Sequence, residues 1–153
     1  MQDAEKHTVL IVDDDAHNLS MLAALLKPLY KVRAATSGEK ALRIANEADP
    51  PDLILLDVMM PGMDGFETCR RIRREKSIAE VPILFLTALD DRQSLLNGLD
   101  AGADDFITKP PDRYELRARL LSITRLNRYR KLHEERLNLE KTHQQLLDAY
   151  DKT

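Results

Sequence analysis

Short apolar runs recur along the chain, separated by segments in which apolar residues return at a longer period. Residues 9–12, 53–56 and 81–86 form three nearly unbroken apolar runs. Such runs are typical of strands that are buried on both faces, as in a parallel sheet. Residues 30–35 and 103–108 predict two further strands, and the second of these is more polar and therefore suits a sheet edge.

In the segments between the runs, apolar residues return every three or four positions, which predicts amphipathic helices. We expect helices over residues 15–28, 37–48, 64–75 and 90–99. Asp15 or Asn18 is the expected cap of the first helix and Asp64 that of the third, because short polar side chains accept hydrogen bonds from free N–H groups at a helix start. Gly102 is expected to close the fourth helix. The residues of the second helix expected to face the core are Ala41, Leu42, Ile44, Ala45 and Ala48.

Strands that alternate with helices in this way predict an α/β fold, with one parallel sheet covered by helices on both faces. Polar side chains follow several of the predicted strands. Asp13 and Asp14 follow the first strand, Asp57 the third, Thr87 the fourth and Lys109 the fifth. Because the carboxyl ends of parallel strands meet at one edge of the sheet, these residues are expected to share one rim.

The predicted rim has the composition of a phosphoryl-transfer site. Three carboxylates held close together repel one another, and a divalent cation relieves that repulsion. Oxygen ligands without histidine or cysteine favour Mg²⁺. Lys109 and Thr87 are suited to hold an anionic phosphoryl group, and Asp57, alone at its strand end, is the expected nucleophile. The alternative is that these acids cap helices and form a surface salt bridge with Lys109.

Composition limits the class of protein. The chain has 153 residues, of which 43% are hydrophobic, enough for one domain with a core and an appendage. No apolar run approaches the roughly 18 residues needed to span a bilayer, and no apolar signal segment is seen, so we expect a soluble, cytoplasmic protein. The net charge of −3 argues against general polyanion binding.

The third predicted helix combines the single cysteine with a basic cluster. One cysteine, Cys69, excludes an internal disulfide framework and a cysteine-built zinc site. Its place in the helical pattern predicts a semi-buried, inert thiol. The basic cluster is interpreted as a solvated face, with a docking patch for an acidic partner as the alternative. It consists of Arg70, Arg71, Arg73 and Arg74.

Beyond Asp112 the chain contains no glycine or proline, so the fifth helix is expected to continue for about 40 residues, or roughly 60 Å. We therefore expect a domain over residues 1–122 and a helical linker over 123–153 that forms a parallel, two-stranded coiled coil. Two offset apolar ladders compete for its core. One contains Ile123, Leu126, Leu137 and Leu147, and the other contains Tyr129, Leu132, Leu139, Leu146 and Tyr150.

A basic stretch accompanies the start of this helix. It contains Arg117, Arg119, Arg125, Arg128, Arg130 and Lys131. Because neither a recognition helix nor stacking aromatic residues accompany it, a solvated or partner-facing helix is favoured over contact with nucleic acid.

In its motifs the chain resembles the receiver domains of response regulators in two-component signalling, over about residues 7–122. The matching motifs are Val12-Asp13-Asp14, Asp57 with Met60-Pro61-Gly62-Met63-Asp64-Gly65, Thr87-Ala88, and Lys109-Pro110. The resemblance implies a flavodoxin-like, doubly wound, five-stranded parallel sheet with strand order 2-1-3-4-5. It also implies a signalling switch that catalyses only its own phosphotransfer and dephosphorylation.

The resemblance assigns roles to the rim residues. Asp57 would accept a phosphoryl group from a histidine kinase or a histidine phosphotransfer protein. Asp14, Asp57 and the backbone carbonyl of Met59 would bind Mg²⁺ directly, and Asp13 would act through water. Thr87 and Lys109 would hold the phosphoryl oxygens. Phe106 would be the switch aromatic, and Lys109-Pro110 would be a cis peptide, which X-Pro bonds permit at small cost.

Signal output is expected at the face formed by the fourth helix, the fifth strand and the fifth helix, through a homodimer that includes the C-terminal helix. The layout of a receiver followed by a coiled coil resembles regulators of cyclic-dinucleotide enzymes, so such an output domain is expected after Thr153. A stand-alone adaptor and a Mg²⁺-dependent phosphohydrolase are the alternatives. Because Met59 and Leu89 are apolar, no side chain there would orient an attacking water, and slow self-dephosphorylation is expected.

Overall fold

The computed structural model describes residues 6–47, 49–88 and 92–151. The five strands are β1 (Thr8–Val12), β2 (Lys31–Ala35), β3 (Leu53–Asp57), β4 (Ile83–Thr87) and β5 (Asp105–Thr108). The five helices are α1 (Ala16–Leu26), α2 (Gly38–Ala45), α3 (Gly65–Arg74), α4 (Arg92–Ala101) and α5 (Arg113–Asp151). The expected inward position of Ala48 and the expected start of the fourth helix at Asp90 lie outside the described residues.

The strands form one parallel sheet in the order β2-β1-β3-β4-β5, with helices on both sides, which confirms the flavodoxin-like α/β fold. Every residue of β3 and β4 is buried, as their continuous apolar runs predicted. β5 lies at an edge, as its more polar sequence predicted. In the register of the central strands, Asp57 pairs with Leu86, and Thr87 therefore lies one residue farther along the neighbouring strand.

The helices α1, α2 and α3 begin at polar caps whose side chains accept a hydrogen bond from the first turn. Asp15 accepts from the N–H of His17, Ser37 from Lys40, and Asp64 from Glu67. These contacts satisfy N–H groups that have no partner inside the helix. The cap of α1 is thus Asp15, and the side chain of Asn18 is left to act elsewhere.

The α2, α3 and α4 helices supply apolar side chains to a common core cluster on the sheet, in which Cys69 and Ile72 of α3 are completely buried. α1 contacts β1 and β2 and buries Leu19, Leu22 and Leu26. The α4 helix ends at Ala101 and is closed by Gly102, whose positive φ of 107° favours glycine. The expected closing residue of this helix is therefore correct.

The interpretation of the basic cluster on α3 as a solvated face is wrong for Arg73. Its guanidinium donates hydrogen bonds to the backbone carbonyls of Ala79, Val81 and Gly102, and it forms an ion pair with Asp104. The carboxylate of Asp104 also accepts from the N–H of Ile83. Arg73 is therefore a structural residue that ties three segments to α3. The helical spacing of the arginines did not reveal this, because the partners lie elsewhere in the chain.

The chain divides into two compact units, and the division lies between Arg117 and Ala118, inside α5. In the first unit, Leu116 is completely buried. In the second, the helix continues to Asp151 and exposes apolar side chains along residues 126–150. Among the described residues, no helix has both the length and the apolar character that crossing a bilayer requires.

Candidate functional site

Three carboxylates meet at the carboxyl ends of β1 and β3. Oxygen atoms of Asp13, Asp14 and Asp57 lie within 4.8 Å of one another. Asp13 and Asp57 are only 1% and 4% exposed, whereas Asp14 is exposed. The topology thus brings together acids that are more than 40 residues apart in the sequence, and Asp14 is the exposed member of the cluster.

Lys109 supplies the positive charge of the site. Its Nζ lies 2.9 Å from Oδ1 of Asp57 and 3.4 Å from Oδ2 of Asp13. The backbone N–H of Lys109 donates to the carbonyl of Thr87 over 2.7 Å, which fixes the end of β5 to that of β4. The peptide bond between Lys109 and Pro110 is cis. The ammonium group is therefore held between the two buried acids.

Asp57 and Lys109 shift each other's pKa. Burial raises the pKa of Asp57 above its ordinary value, the hydrogen bond from Lys109 opposes this, and the neighbouring charges of Asp13 and Asp14 add to the rise. Burial alone would lower the pKa of Lys109, but its hydrogen bond and charge interaction with Asp57 outweigh burial, so that pKa is raised. The lysine therefore stays charged, and it only partly offsets the crowding of the acids.

Thr87 lies at the end of β4 and is 4% exposed, beside the strand that carries Asp57. Phe106 lies in β5 and is half-buried. Both residues line a small cavity beneath α4, together with Phe85 and Gly98. Phe106 is therefore near Thr87 and lies outside the acidic cluster itself.

Asn18 belongs to the site, although the sequence pattern offered it only as a helix cap. Its side-chain amide donates to Oδ2 of Asp13 over 3.3 Å, while the N–H of Asp15 donates to Oδ1 over 2.9 Å. Its spacing of five residues from Asp13 at the start of a helix was the only signal available. Whether such a side chain turns toward the strand end depends on how α1 packs.

Close packing at the start of α3 positions the segment after Asp57. The N–H of Gly65 donates to the carbonyl of Val58 over 2.9 Å. A Cβ atom at Gly65 would lie only 2.3 Å from the carbonyl oxygen of Asp57. The helix start therefore presses directly on the backbone of Asp57, which only glycine permits. In the intervening loop the side chain of Met59 is 64% exposed.

A groove of about 690 Å³ opens beside the cluster, between α1 and the segment that follows β5. Its polar end contains Asp13, Asn18 and Lys109. Apart from Arg113, the rest of its wall is apolar and is lined by Met21, Leu22, Ala24, Leu25, Leu86, Pro110 and Pro111. The groove thus gives access to the buried acids from the α1 side.

The residues present fit a magnesium ion. All the candidate donors are oxygen atoms, which hard cations such as Mg²⁺ prefer, and Asp14 on the exposed side leaves room for the water ligands that Mg²⁺ retains. Burial raises the pKa of Asp57, and the charges of Asp13 and Asp14 add to that rise, so a cation bound here would favour the ionised carboxylate. A carboxylate, a divalent cation and an ammonium group are together suited to phosphoryl transfer.

Comparisons with known proteins find similarity over the part of the chain that contains this site. The sequence model of one protein family, the response regulator receiver domain, matches residues 9–121. The chain is 47% identical over 118 residues to the response regulator PleD of Caulobacter vibrioides. That alignment covers 76% of this chain and 26% of PleD. It is 44% identical over 117 residues to the transcriptional regulatory protein AfsQ1 of Streptomyces coelicolor, covering 76% of this chain and 50% of AfsQ1. The chain thus spans between about a quarter and half of these relatives.

Solved structures resemble the same part of the chain. The receiver domain of the sensor histidine kinase PA1611 from Pseudomonas aeruginosa, which contains a magnesium ion coordinated in its active-site cleft, is 34% identical with a TM-score of 0.72. The alignment covers 78% of this chain and 98% of that domain. The chemotaxis protein CheY4 of Vibrio cholerae is 32% identical with a TM-score of 0.73, covering 77% and 98%.

Proposed function

Because this chain belongs to the response regulator receiver domain family, we propose that it is a phosphorylation-controlled switch whose phosphoacceptor is Asp57. The observation that carries the proposal is the contact of 2.9 Å between Asp57 and Lys109, inside a cluster of three acids. Asp57 is buried, at 4% exposure, beside the exposed Asp14. Asp57 is therefore the acid best placed to meet both a cation and a phosphoryl donor.

In the proposed reaction, an ionised oxygen of Asp57 attacks the phosphorus of a phosphohistidine. An O–P bond forms to Asp57, the N–P bond breaks, and the donor imidazole keeps the electron pair and takes up a proton. Lys109 and the hydroxyl of Thr87 would hold phosphoryl oxygens, since both stand at neighbouring strand ends. The product is an acyl phosphate on Asp57.

We assign the magnesium ligands as the resemblance implies: Asp14, Asp57 and the carbonyl of Met59 directly, and Asp13 through water. Bound Mg²⁺ would neutralise the charge that develops on the transferring phosphoryl group. The engagement of both Asp13 oxygens by N–H donors supports an indirect role for that residue.

The proposed donor is a histidine kinase or a histidine phosphotransfer protein, and the proposed output is dimer geometry. The face for this output is α4, β5 and α5, where Leu96 and Leu99 are 44% and 53% exposed. The exposed apolar side chains of α5 support a homodimer through the extended helix. We also propose a cyclic-dinucleotide output domain, and this proposal rests only on the arrangement in which a receiver is followed by a long helix.

The test is labelling by acetyl phosphate, followed by mass spectrometry of the intact protein. We expect one phosphoryl group per chain in the presence of Mg²⁺, and none for Asp57→Asn. Asp100→Asn is the matched control, because Asp100 is an exposed acid on α4 and its loss should leave labelling unchanged. Labelling that persists in Asp57→Asn would refute the proposal.

Two further measurements, turnover of a phosphate ester and complex formation, separate the alternatives. A Mg²⁺-dependent phosphohydrolase would turn over a phosphate ester many times without remaining labelled, whereas a switch stops at one phosphoryl group. If the protein were an adaptor that acts only by binding, the wild-type protein and Asp57→Asn would form the same complexes. We expect labelling that stops at one group, and complexes that differ between the two proteins.

A further inference from the structure

The carboxylate of Asp13 is held on both of its oxygens. Oδ1 accepts from the N–H of Asp15 over 2.9 Å, and Oδ2 accepts from the amide of Asn18 over 3.3 Å and from Nζ of Lys109 over 3.4 Å. Asp13 is 1% exposed, so water has little room to replace a lost donor. A buried carboxylate depends on such donors for its orientation.

We propose that Asn18 is a positioning residue of the phosphoryl-transfer site, which acts by orienting the carboxylate of Asp13. The inference rests on the proposed function, since it concerns the magnesium site assigned there. Asn18 lies on α1, one turn beyond the acids. Within the described part of the chain, its side chain donates to Asp13 and to neither Asp14 nor Asp57.

The contacts of Lys109 explain why this donor matters. The ammonium group is shared between Asp57 and Asp13 and lies closer to Asp57, at 2.9 Å against 3.4 Å. Without the amide of Asn18, Lys109 would be the only side-chain donor to Oδ2 of Asp13 among the described residues. The lysine would then be drawn toward Asp13 and away from the phosphoacceptor. Asn18 thus helps to keep Lys109 with Asp57.

The chemistry of an amide suits this role. A lysine or arginine at position 18 would add positive charge and weaken the attraction of the acids for a cation, whereas an amide donates a hydrogen bond without adding charge. Partners that orient the acidic groups around a metal typically contribute about 10–100-fold to its affinity. We therefore expect a measurable effect of Asn18 on magnesium binding.

A second role for Asn18 must be separated from the first. Asn18 also lines the groove beside α1, and so does Met21, whose side chain is 60% exposed. If Asn18 served only as a contact for a protein docked in the groove, its loss would resemble the loss of Met21. Neither loss would then affect magnesium binding or labelling by a small donor.

The experiment compares Asn18→Ala, Asn18→Gln and Met21→Ala with wild type in the full chain. Isothermal titration calorimetry gives the Kd for Mg²⁺, and the rate of labelling by acetyl phosphate is followed as Mg²⁺ is varied. For Asn18→Ala we expect a Kd raised about tenfold. Much of the lost rate should return at saturating Mg²⁺. Asn18→Gln, which keeps an amide donor, should restore most of the affinity, and Met21→Ala should match wild type.

Alanine favours helices more than asparagine does, so Asn18→Ala should not unfold α1, and a thermal melt without Mg²⁺ checks this. An unchanged Kd in Asn18→Ala overturns the inference, as does an equal loss of affinity in Asn18→Gln or Met21→Ala. These outcomes differ from failure of the proposed function, in which wild type itself would show no Mg²⁺-dependent labelling.

Discussion

Burial sets the chemistry of Cys69. Its side chain is completely buried in α3, its thiol donates to the carbonyl of Ala101, and burial raises its pKa to about 11. The folded protein therefore keeps the proton that the unfolded chain releases near pH 9. The free energy of unfolding is therefore unaffected by this group below pH 9, and it falls as the pH rises from 9 toward 11.

We predict that Cys69 resists a thiol reagent such as dithiobisnitrobenzoate at pH 8 in the native protein and reacts rapidly in urea. The physical reason is that the native thiol is both inaccessible and protonated. Absorbance of the released chromophore measures the rate. Equal rates in the native and unfolded states would contradict the prediction.

The lifetime of the phosphorylated state is a second property that depends on single residues. Met59 is exposed beside Asp57 and carries no group that could orient water, while Leu89, the second apolar residue expected to flank the site, lies outside the described residues. We predict a half-life of about minutes or longer for the Mg²⁺-bound phosphoprotein. Met59→Asn should shorten it, and Met59→Leu is the matched control. A half-life of seconds in wild type would contradict the prediction.

Among single residues, the sequence predicted the roles of those whose neighbours in the chain mark the end of a strand. Asp57 follows an apolar run that ends abruptly, Lys109 follows the more polar fifth strand, and parallel topology brings these strand ends together. The roles of Asn18 and Arg73 did not emerge from the sequence, because each acts on partners that its own helix does not reveal. Side-chain direction depends on packing, which helical spacing alone does not specify.

Among the helices and strands, too, the sequence predicted some features and missed others. The buried strands β3 and β4 could be predicted because short, unbroken apolar runs bounded by turn residues are typical of such strands. The starts of α1 and α3 could be predicted because Asp15 and Asp64 are typical caps. Element ends depend on local capping and matched the expected ends less closely. α2 ends at Ala45, three residues before the expected end at residue 48, because the C-cap at Asn46 already turns the chain.

The network around Arg73 leads to a prediction about α3 and its neighbours. The side chain is 21% exposed and donates to three backbone carbonyls besides pairing with Asp104. Loss of the guanidinium would leave those carbonyls without a donor in a partly buried position. We predict that Arg73→Ala lowers the free energy of unfolding by about 2 kcal/mol. Urea denaturation measures the change.

The next residue provides the control for this prediction. Arg74 is exposed on the same helix, and Arg74→Ala should change the stability by less than about 0.5 kcal/mol. Arg73→Lys keeps the charge but not the planar array of donors, and should recover only part of the loss. If Arg73→Ala and Arg74→Ala were equally stable, the network would have no structural role.

At the scale of the whole molecule, the extended part of α5 carries large apolar side chains in contact with solvent. Leu132, Leu139 and Leu146 follow one another at intervals of seven residues and are 57%, 72% and 66% exposed. A regular seven-residue spacing places them along one seam of a coiled coil. A single helix of this kind gains little from its own packing, so a second copy of the chain is the simplest partner.

A competing seam contains Leu126, Leu137 and Leu147, which are also exposed, at 63%, 50% and 47%. Two helices that pack along one seam leave the other in solvent, and a change of register would exchange them. Since the two seams differ little in apolar content, a modest free-energy difference would decide between them. Phosphorylation of Asp57 would thereby have a means of changing the dimer.

Cysteine cross-linking tests this register hypothesis, because Cys69 is buried and an introduced cysteine would be the reactive thiol. We predict that cysteines at positions 132 and 139 cross-link between chains more readily in one phosphorylation state, and those at 126 and 137 in the other. Beryllofluoride serves as the stable activator, and Asp57→Asn as the control that should not respond. A cross-linking pattern that stays constant would rule out the register change, and no cross-linking at any position would also rule out the dimer.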